Sequence, residues 1–233
     1  TTSLILQKWL AESNCPEREN PYVLYGASNL GSMLGLMTYP MLAEPLLGLG
    51  QQAGLWWAGY AVLVLLHGVC LPVRGTGDAP RTCRAEDEGE PVARSSVLVW
   101  FVCSAAGCGI LLAVTNVMTL DMAPVPALWV LPLSVYLLSF VLTFKRRMWY
   151  PEWTRNMLSW ALFVGVLLHL MAQLHLGLPI GLSIPVHLLI LFCACLNCSG
   201  QLVLARPGNP RHLTLFYLVM ALGGVVGSVL VNW

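Results

Sequence analysis

Seven long apolar stretches divide this 233-residue chain, and all twelve of its Lys and Arg residues fall in segments that alternating membrane crossings put on one side. Lys8 and Arg18 precede the first stretch, and Arg74, Arg81, Arg84 and Arg94 separate the second from the third. Lys145, Arg146, Arg147 and Arg155 surround the turn between the fourth and fifth, and Arg206 and Arg211 lie between the sixth and seventh. The intervening loops on the opposite side carry none. Positive residues near span ends are retained in the cytoplasm during insertion. The pattern therefore predicts an all-α, polytopic transmembrane bundle of about seven spans, with a cytoplasmic N-terminus and Trp233 outside.

Composition agrees with a bilayer as the solvent. Hydrophobic residues make up 57% of the chain and charged residues only 10%, too few polar groups to cover a soluble domain of this size. A net charge of +1 gives no reason to invoke nucleic acid. The chain opens at Thr1 without a secretory signal and is expected to be an interior or processed piece of a longer polypeptide. Six of the eight cysteines sit in or beside apolar runs, and Cys15 and Cys83 lie in segments read as cytoplasmic. Free thiols are expected rather than a disulfide framework.

Four regions follow from the same pattern. Residues 1–20 form an amphipathic, interfacial lead, with Leu4, Leu6, Trp9 and Leu10 on one side and Gln7 and Lys8 on the other. Residues 21–72 form a two-span unit. Residues 73–95, where Arg, Asp and Glu interleave with Gly and Pro, read as a charged cytoplasmic loop. Residues 96–233 form a five-span unit, in which Trp149, Tyr150 and Trp153 are expected at headgroup level. Gly31 and Gly35 in the first span, and Gly223 and Gly227 in the last, form small-xxx-small faces suited to close helix packing.

Polar side chains within the spans each need a partner, a cavity or an interface. Asn29 and Asn116 read as amides that tie two helices together. Glu44 and Asp121 are the acidic residues of the outer side, and with the two asparagines they define a possible polar site for a cation such as a polyamine. The simpler reading has Glu44 solvated at a span end and Asp121 capping the fourth span ahead of Pro124. His67, His169 and His187 could in principle ligate a haem or pigment, but a neutral imidazole bonded to a nearby carbonyl suffices at the first two. Cys193, Cys195 and Cys198 are close in sequence yet lack an evident fourth ligand, so they read as small apolar packing residues. The sequence requires no cofactor and no metal, although lipid or pigment contacts fit its apolar surface. No phosphate loop, nucleophile elbow or zinc-protease histidine pair is present.

Several segments carry a family resemblance. These are Thr1–Trp9, Pro21–Ser32, Tyr39-Pro40 with Glu44-Pro45, Thr115-Asn116, Asp121, Val125-Pro126, Leu128–Leu133, Tyr136–Phe140, Arg211–Thr214, Phe216-Tyr217 and Leu222–Gly224. Together they resemble the membrane portion of bacterial spermidine-synthase-like proteins, in which a transporter-like membrane region is fused to a polyamine aminopropyltransferase domain. The resemblance implies a multi-pass protein of the bacterial inner membrane, and it assigns any aminopropyltransferase activity to a portion outside these 233 residues. Two positions depart from the family pattern. Cys198-Ser199-Gly200-Gln201-Leu202 stands where Cys-His-Gly-Glu-Leu is expected, and Val117 stands where a polar residue or histidine is expected. Both ionisable groups of the first motif are thus neutral here.

Three functions are compatible with these residues. The favoured one is a non-catalytic integral membrane module, either a structural subunit of a larger assembly with other membrane proteins or the anchor of a spermidine-synthase-like protein. The alternatives are part of a transporter for a cationic solute, and the membrane domain of an aminopropyltransferase whose catalytic domain lies elsewhere.

Overall fold

The computed structural model describes residues 2–11, 20–73, 92–121, 127–176 and 179–233, which are helical with no strand among them. Side chains are described for these residues except 2, 71–73, 120, 121, 127 and 210. Most of the charged stretch 73–95 and the turn Met122–Pro126 lie outside the described residues. The chain divides into two compact units, Thr1–Glu90 and Pro91–Trp233.

In the first unit, α1 (Thr2–Ala11) lies against α2 (Val23–Thr38). Its faces differ from the expected amphipathic division. Gln7, expected beside Lys8 on the polar face, is fully buried and donates to Ser3 Oγ at 3.1 Å, whereas Ile5 is exposed. A buried amide needs such a partner, which the neighbouring turn supplies.

The helix continuing from α2 widens into a π turn at Tyr39–Ala43, with the Glu44 N–H reaching back to the Tyr39 carbonyl. Pro40 is the physical cause. It has no N–H to give the Leu36 carbonyl, so the ladder must shift by a residue to continue. The short α3 (Glu44–Leu46) then stops at Leu47, whose backbone is extended. Gln52 closes the turn by donating to the Leu47 carbonyl at 2.8 Å and the Ala43 carbonyl at 3.4 Å. Gln51 Oε1 accepts from the Gly48 N–H at 3.0 Å. These two glutamines satisfy groups that the start of α4 (Leu49–Val73) and the end of α3 would leave open. None of α4 from Leu49 to Cys70 is buried, so its apolar surface is available all round.

The second unit contains α5 (Arg94–Asp121), α6 (Ala127–Phe144), α7 (Trp153–Gln173), α8 (Ile180–Leu204) and α9 (Leu213–Asn232), the last preceded by the 3₁₀ turn Pro210–His212. Helix α8 is central, packing on α5, α6 and α7, and is buried along much of Leu191–Val203. Val114, Met118, Leu191 and Cys195 form the core where α5 meets it.

The most extensive packing joins α5 to α9. A Cβ at Gly223 would lie 2.5 Å from the Phe101 carbonyl oxygen, and one at Gly227 would strike the Ala105 carbonyl. Glycine is therefore what lets these backbones approach. Ser104 Oγ reinforces the seam by donating to the Met220 carbonyl at 2.6 Å. By contrast, a Cβ at Gly31 or Gly35 would meet nothing within 4 Å.

Directions follow from these contacts. Trp100 pairs with Phe216, and Gly109 lies against Gly227, so α5 and α9 run parallel. Trp100 Nε1 donates to the Ala205 carbonyl at 2.8 Å, while Cys195 reaches Gly107, so α5 and α8 are antiparallel. Asn197 contacts Thr154 and Ile190 lies beside Gly165, which makes α7 antiparallel to α8. Helices α5, α7 and α9 consequently start at the end where α6 and α8 finish. Every Lys and Arg of this unit, namely Arg94, Lys145, Arg146, Arg147, Arg155, Arg206 and Arg211, sits at that end.

Five helical stretches are long and apolar enough to cross a membrane: Leu49–Cys70, Arg94–Thr119, Trp153–Gln173, Ile180–Leu204 and Leu213–Asn232. Leu128–Phe144 is a shorter apolar helix. Several hydroxyls within the helices are satisfied locally. Thr115 donates to the Leu111 carbonyl, Thr143 to Ser139, and Ser228 to Gly224, each one turn back.

Candidate functional site

The densest polar arrangement in the described residues lies at the basic end of the second unit, where the α6–α7 connector meets α8. Asn197 and Gln201 are one turn apart on α8, with Gly200 beside them. A Cβ at Gly200 would fall 2.5 Å from the Tyr150 ring, so the absent side chain makes the space into which that ring folds. Gln201 Nε2 donates to the Tyr150 hydroxyl at 3.1 Å, and that hydroxyl donates to Asn197 Oδ1 at 3.3 Å. Asn197 Nδ2 then donates to the Thr154 carbonyl at 3.3 Å, and the buried Thr154 hydroxyl to the Pro151 carbonyl at 2.7 Å.

This chain of bonds fixes the connector and the start of α7 onto α8. A fully paired network of this kind rigidifies its surroundings, whereas an unpaired member would be costly. Ser199 extends the tie to α6 by donating to the Ser139 carbonyl at 3.4 Å. All of these groups are amides, hydroxyls or peptide carbonyls. They can position helices, but they include no carboxylate or imidazole to exchange a proton near neutrality. Ser134 Oγ on α6 is buried without a hydrogen-bond partner among the described residues.

Tyr150 is half-buried and turned inward over Gly200. Trp149 and Trp153 stay 38% and 48% exposed, in edge contact at 6.1 Å. The sequence signal for the inward turn is the pair of amides at i and i+4 on α8 flanking a glycine.

Of the four residues of the possible cation site, Asn29 and Glu44 belong to the first unit, and Asn116 and Asp121 to the second. Asn29 Nδ2 donates to the Tyr25 carbonyl at 2.9 Å, within α2. Glu44 is exposed at the step from the π turn into α3. Asn29 and Glu44 stand fifteen helical positions apart, about 22 Å along the axis, and do not meet. Asn116 is half-buried on α5, and its carbonyl accepts from Thr119 Oγ1 at 3.3 Å. The Asp121 side chain, with its expected capping role, lies outside the described residues.

His67 Nδ1 lies 2.8 Å from the Leu63 carbonyl, and His187 Nδ1 lies 2.8 Å from the Ser183 carbonyl, each one turn back on its own helix. His169 is exposed on α7. Cys193 and Cys195 are buried and Cys198 half-buried, and Cys195 Sγ lies 4.0 Å from the Gly107 carbonyl oxygen of α5. Among the described residues, no group of three or more His, Cys, Asp or Glu side chains could hold a metal ion. No protein-family model matches the chain, and comparison with curated proteins and with solved structures gives no match.

Proposed function

We propose that the chain is a non-catalytic, multi-pass membrane module with seven spans and a cytoplasmic N-terminus. It acts as a structural or anchoring component, in a larger membrane assembly or as the membrane anchor of a spermidine-synthase-like protein of the bacterial inner membrane. One observation carries the reading: apolar helices with exposed sides are joined to cationic groups gathered at one end of the second unit. Lipid satisfies the first feature and a cytoplasmic membrane face the second. The two further spans are α6 and the stretch from Val23 to Leu46. The neutral, hydrogen-bonded network around Tyr150 supports a packing role over cation or proton handling.

An alkaline carbonate wash followed by flotation tests the membrane assignment, and purification in mild detergent tests the role. The chain is expected to stay with the membrane and to co-purify with other subunits or with a covalently continuous soluble domain. Release by carbonate would overturn the first point. An isolated chain that moves labelled polyamine into vesicles would overturn the second.

A further inference from the structure

The α6–α7 connector pairs a fixed backbone with unpaired charge. Lys145, Arg146 and Arg147 follow α6 directly, are all exposed, and engage in no ion pair among the described residues. Arg155 adds a fourth exposed cation in the first turn of α7, and Glu152 is the connector's single carboxylate. The connector is anchored on both sides of this cluster's reach. The Trp149 N–H donates to the Leu142 carbonyl at 3.0 Å, and Tyr150 is held by Asn197 and Gln201 on α8. Next to the cations, Trp149 and Trp153 present partly exposed indole rings, with Trp149 also 6.5 Å from Phe192 of α8. Indoles of this kind settle between acyl chain and headgroup. Cations held at that depth by an anchored backbone meet phosphate without the connector itself having to be ordered.

From this juxtaposition we propose that the connector Lys145–Trp153 is a binding site for an anionic phospholipid headgroup, whose phosphate is engaged by Lys145, Arg146 and Arg147 while its glycerol and upper acyl segments rest on Trp149 and Trp153. Charge complementarity selects the anionic lipid over a zwitterionic one. The exposed rings beside the cations select a lipid over a soluble phosphate, which has no apolar part to place there. The inference rests on the membrane reading above.

The test compares the purified chain in nanodiscs of phosphatidylcholine alone and of phosphatidylcholine with phosphatidylglycerol, reading lipid retained by native mass spectrometry and the thermal midpoint. Phosphatidylglycerol is expected to be retained preferentially and to raise the midpoint. Each neutralised cation should reduce that preference roughly five-fold. The triple variant Lys145→Gln/Arg146→Gln/Arg147→Gln should abolish it, while Arg94→Gln leaves it unchanged. If the triple variant does not purify, the single variants Arg146→Gln and Arg147→Gln carry the same comparison. Equal retention of both lipids by the intact chain overturns the site while leaving the membrane reading standing. An equal rise in midpoint from inorganic phosphate in phosphatidylcholine discs also overturns it, in favour of a soluble anion. Failure to enter discs of either composition overturns the membrane reading and this proposal together.

Discussion

Glycines with the same sequence spacing have opposite surroundings, and the difference is measurable. Gly227 faces the Ala105 carbonyl so closely that any side chain must push α5 and α9 apart, whereas Gly31 has open space where its Cβ would be. Gly227→Val is therefore expected to destabilise the second unit by about 1–3 kcal/mol, the usual cost of overpacking. Gly31→Ala should stay within about 0.5 kcal/mol of the parent. Thermal unfolding in detergent checks both, and equal midpoints for the two variants would remove the α5–α9 seam from the account. A second residue-scale test concerns Tyr150. Tyr150→Phe keeps the ring over Gly200 but leaves the Gln201 amide without its acceptor and Asn197 Oδ1 without its donor. A loss of about 1 kcal/mol follows, modest because partially unfolded states in a membrane also find partners. The same substitution combined with Gln201→Leu should cost less than the sum of the two single changes, since each removes the shared Gln201–Tyr150 bond.

At the scale of elements, α4 and α8 make an instructive pair. Both are 25-residue apolar helices, yet α4 has no buried residue from Leu49 to Cys70 while α8 is buried along much of its second half. Small residues do not distinguish them, because Gly50, Gly54 and Gly59 of α4 meet nothing within 4 Å. Intramembrane amides do distinguish them: Asn197 and Gln201 sit on α8, and α4 has its glutamines only at the first turn. Existence of the helices was legible as runs of apolar residues, and the break at Tyr39–Ala43 was legible as far as Pro40 and Pro45 mark it. The centrality of α8 was not, because an all-round apolar sequence serves a lipid-exposed and a protein-covered helix equally. The candidate site was hidden for a related reason. Gln201 draws notice in the sequence as a neutral replacement, but its partner Tyr150 is 51 residues away and shares an aromatic cluster that reads as interfacial. If α4 crosses the bilayer alone, Leu63→Arg, near the middle of Leu49–Cys70, should raise its insertion free energy by about 3–4 kcal/mol. A glycosylation-reporter insertion assay reads that directly, and unchanged insertion would mean that α4 does not span.

For the whole molecule, the decisive question is parity. Helices α5 and α7 both run antiparallel to α8, so the chain must return along α6 between the end of one and the start of the other. Helix α6 has 18 residues, about 27 Å, close to the roughly 30 Å of a hydrocarbon core. Its failure to match the longer helices is thus a matter of length, and Lys145–Arg147 at its end are long enough to reach the headgroups when the helix sits slightly deep. Counting α6 as a crossing gives the second unit an odd number of traverses and puts Trp233 opposite the basic end. Alkaline phosphatase fused after Trp233 should accordingly be active, and the same enzyme fused after Tyr150 inactive, with a cytoplasm-dependent fluorescent reporter giving the reverse. Equal activity at the two positions would mean an even number of crossings between them, which would exclude α7, α8 and α9 from sharing one slab in the directions their contacts define. Orientation rather than parity depends on charge. Replacing Lys145, Arg146 and Arg147 by Gln while adding three Lys after Leu176 should therefore yield molecules with both fusions active in part, because the cations retained at the basic end, Arg155, Arg206 and Arg211, then compete with the new ones.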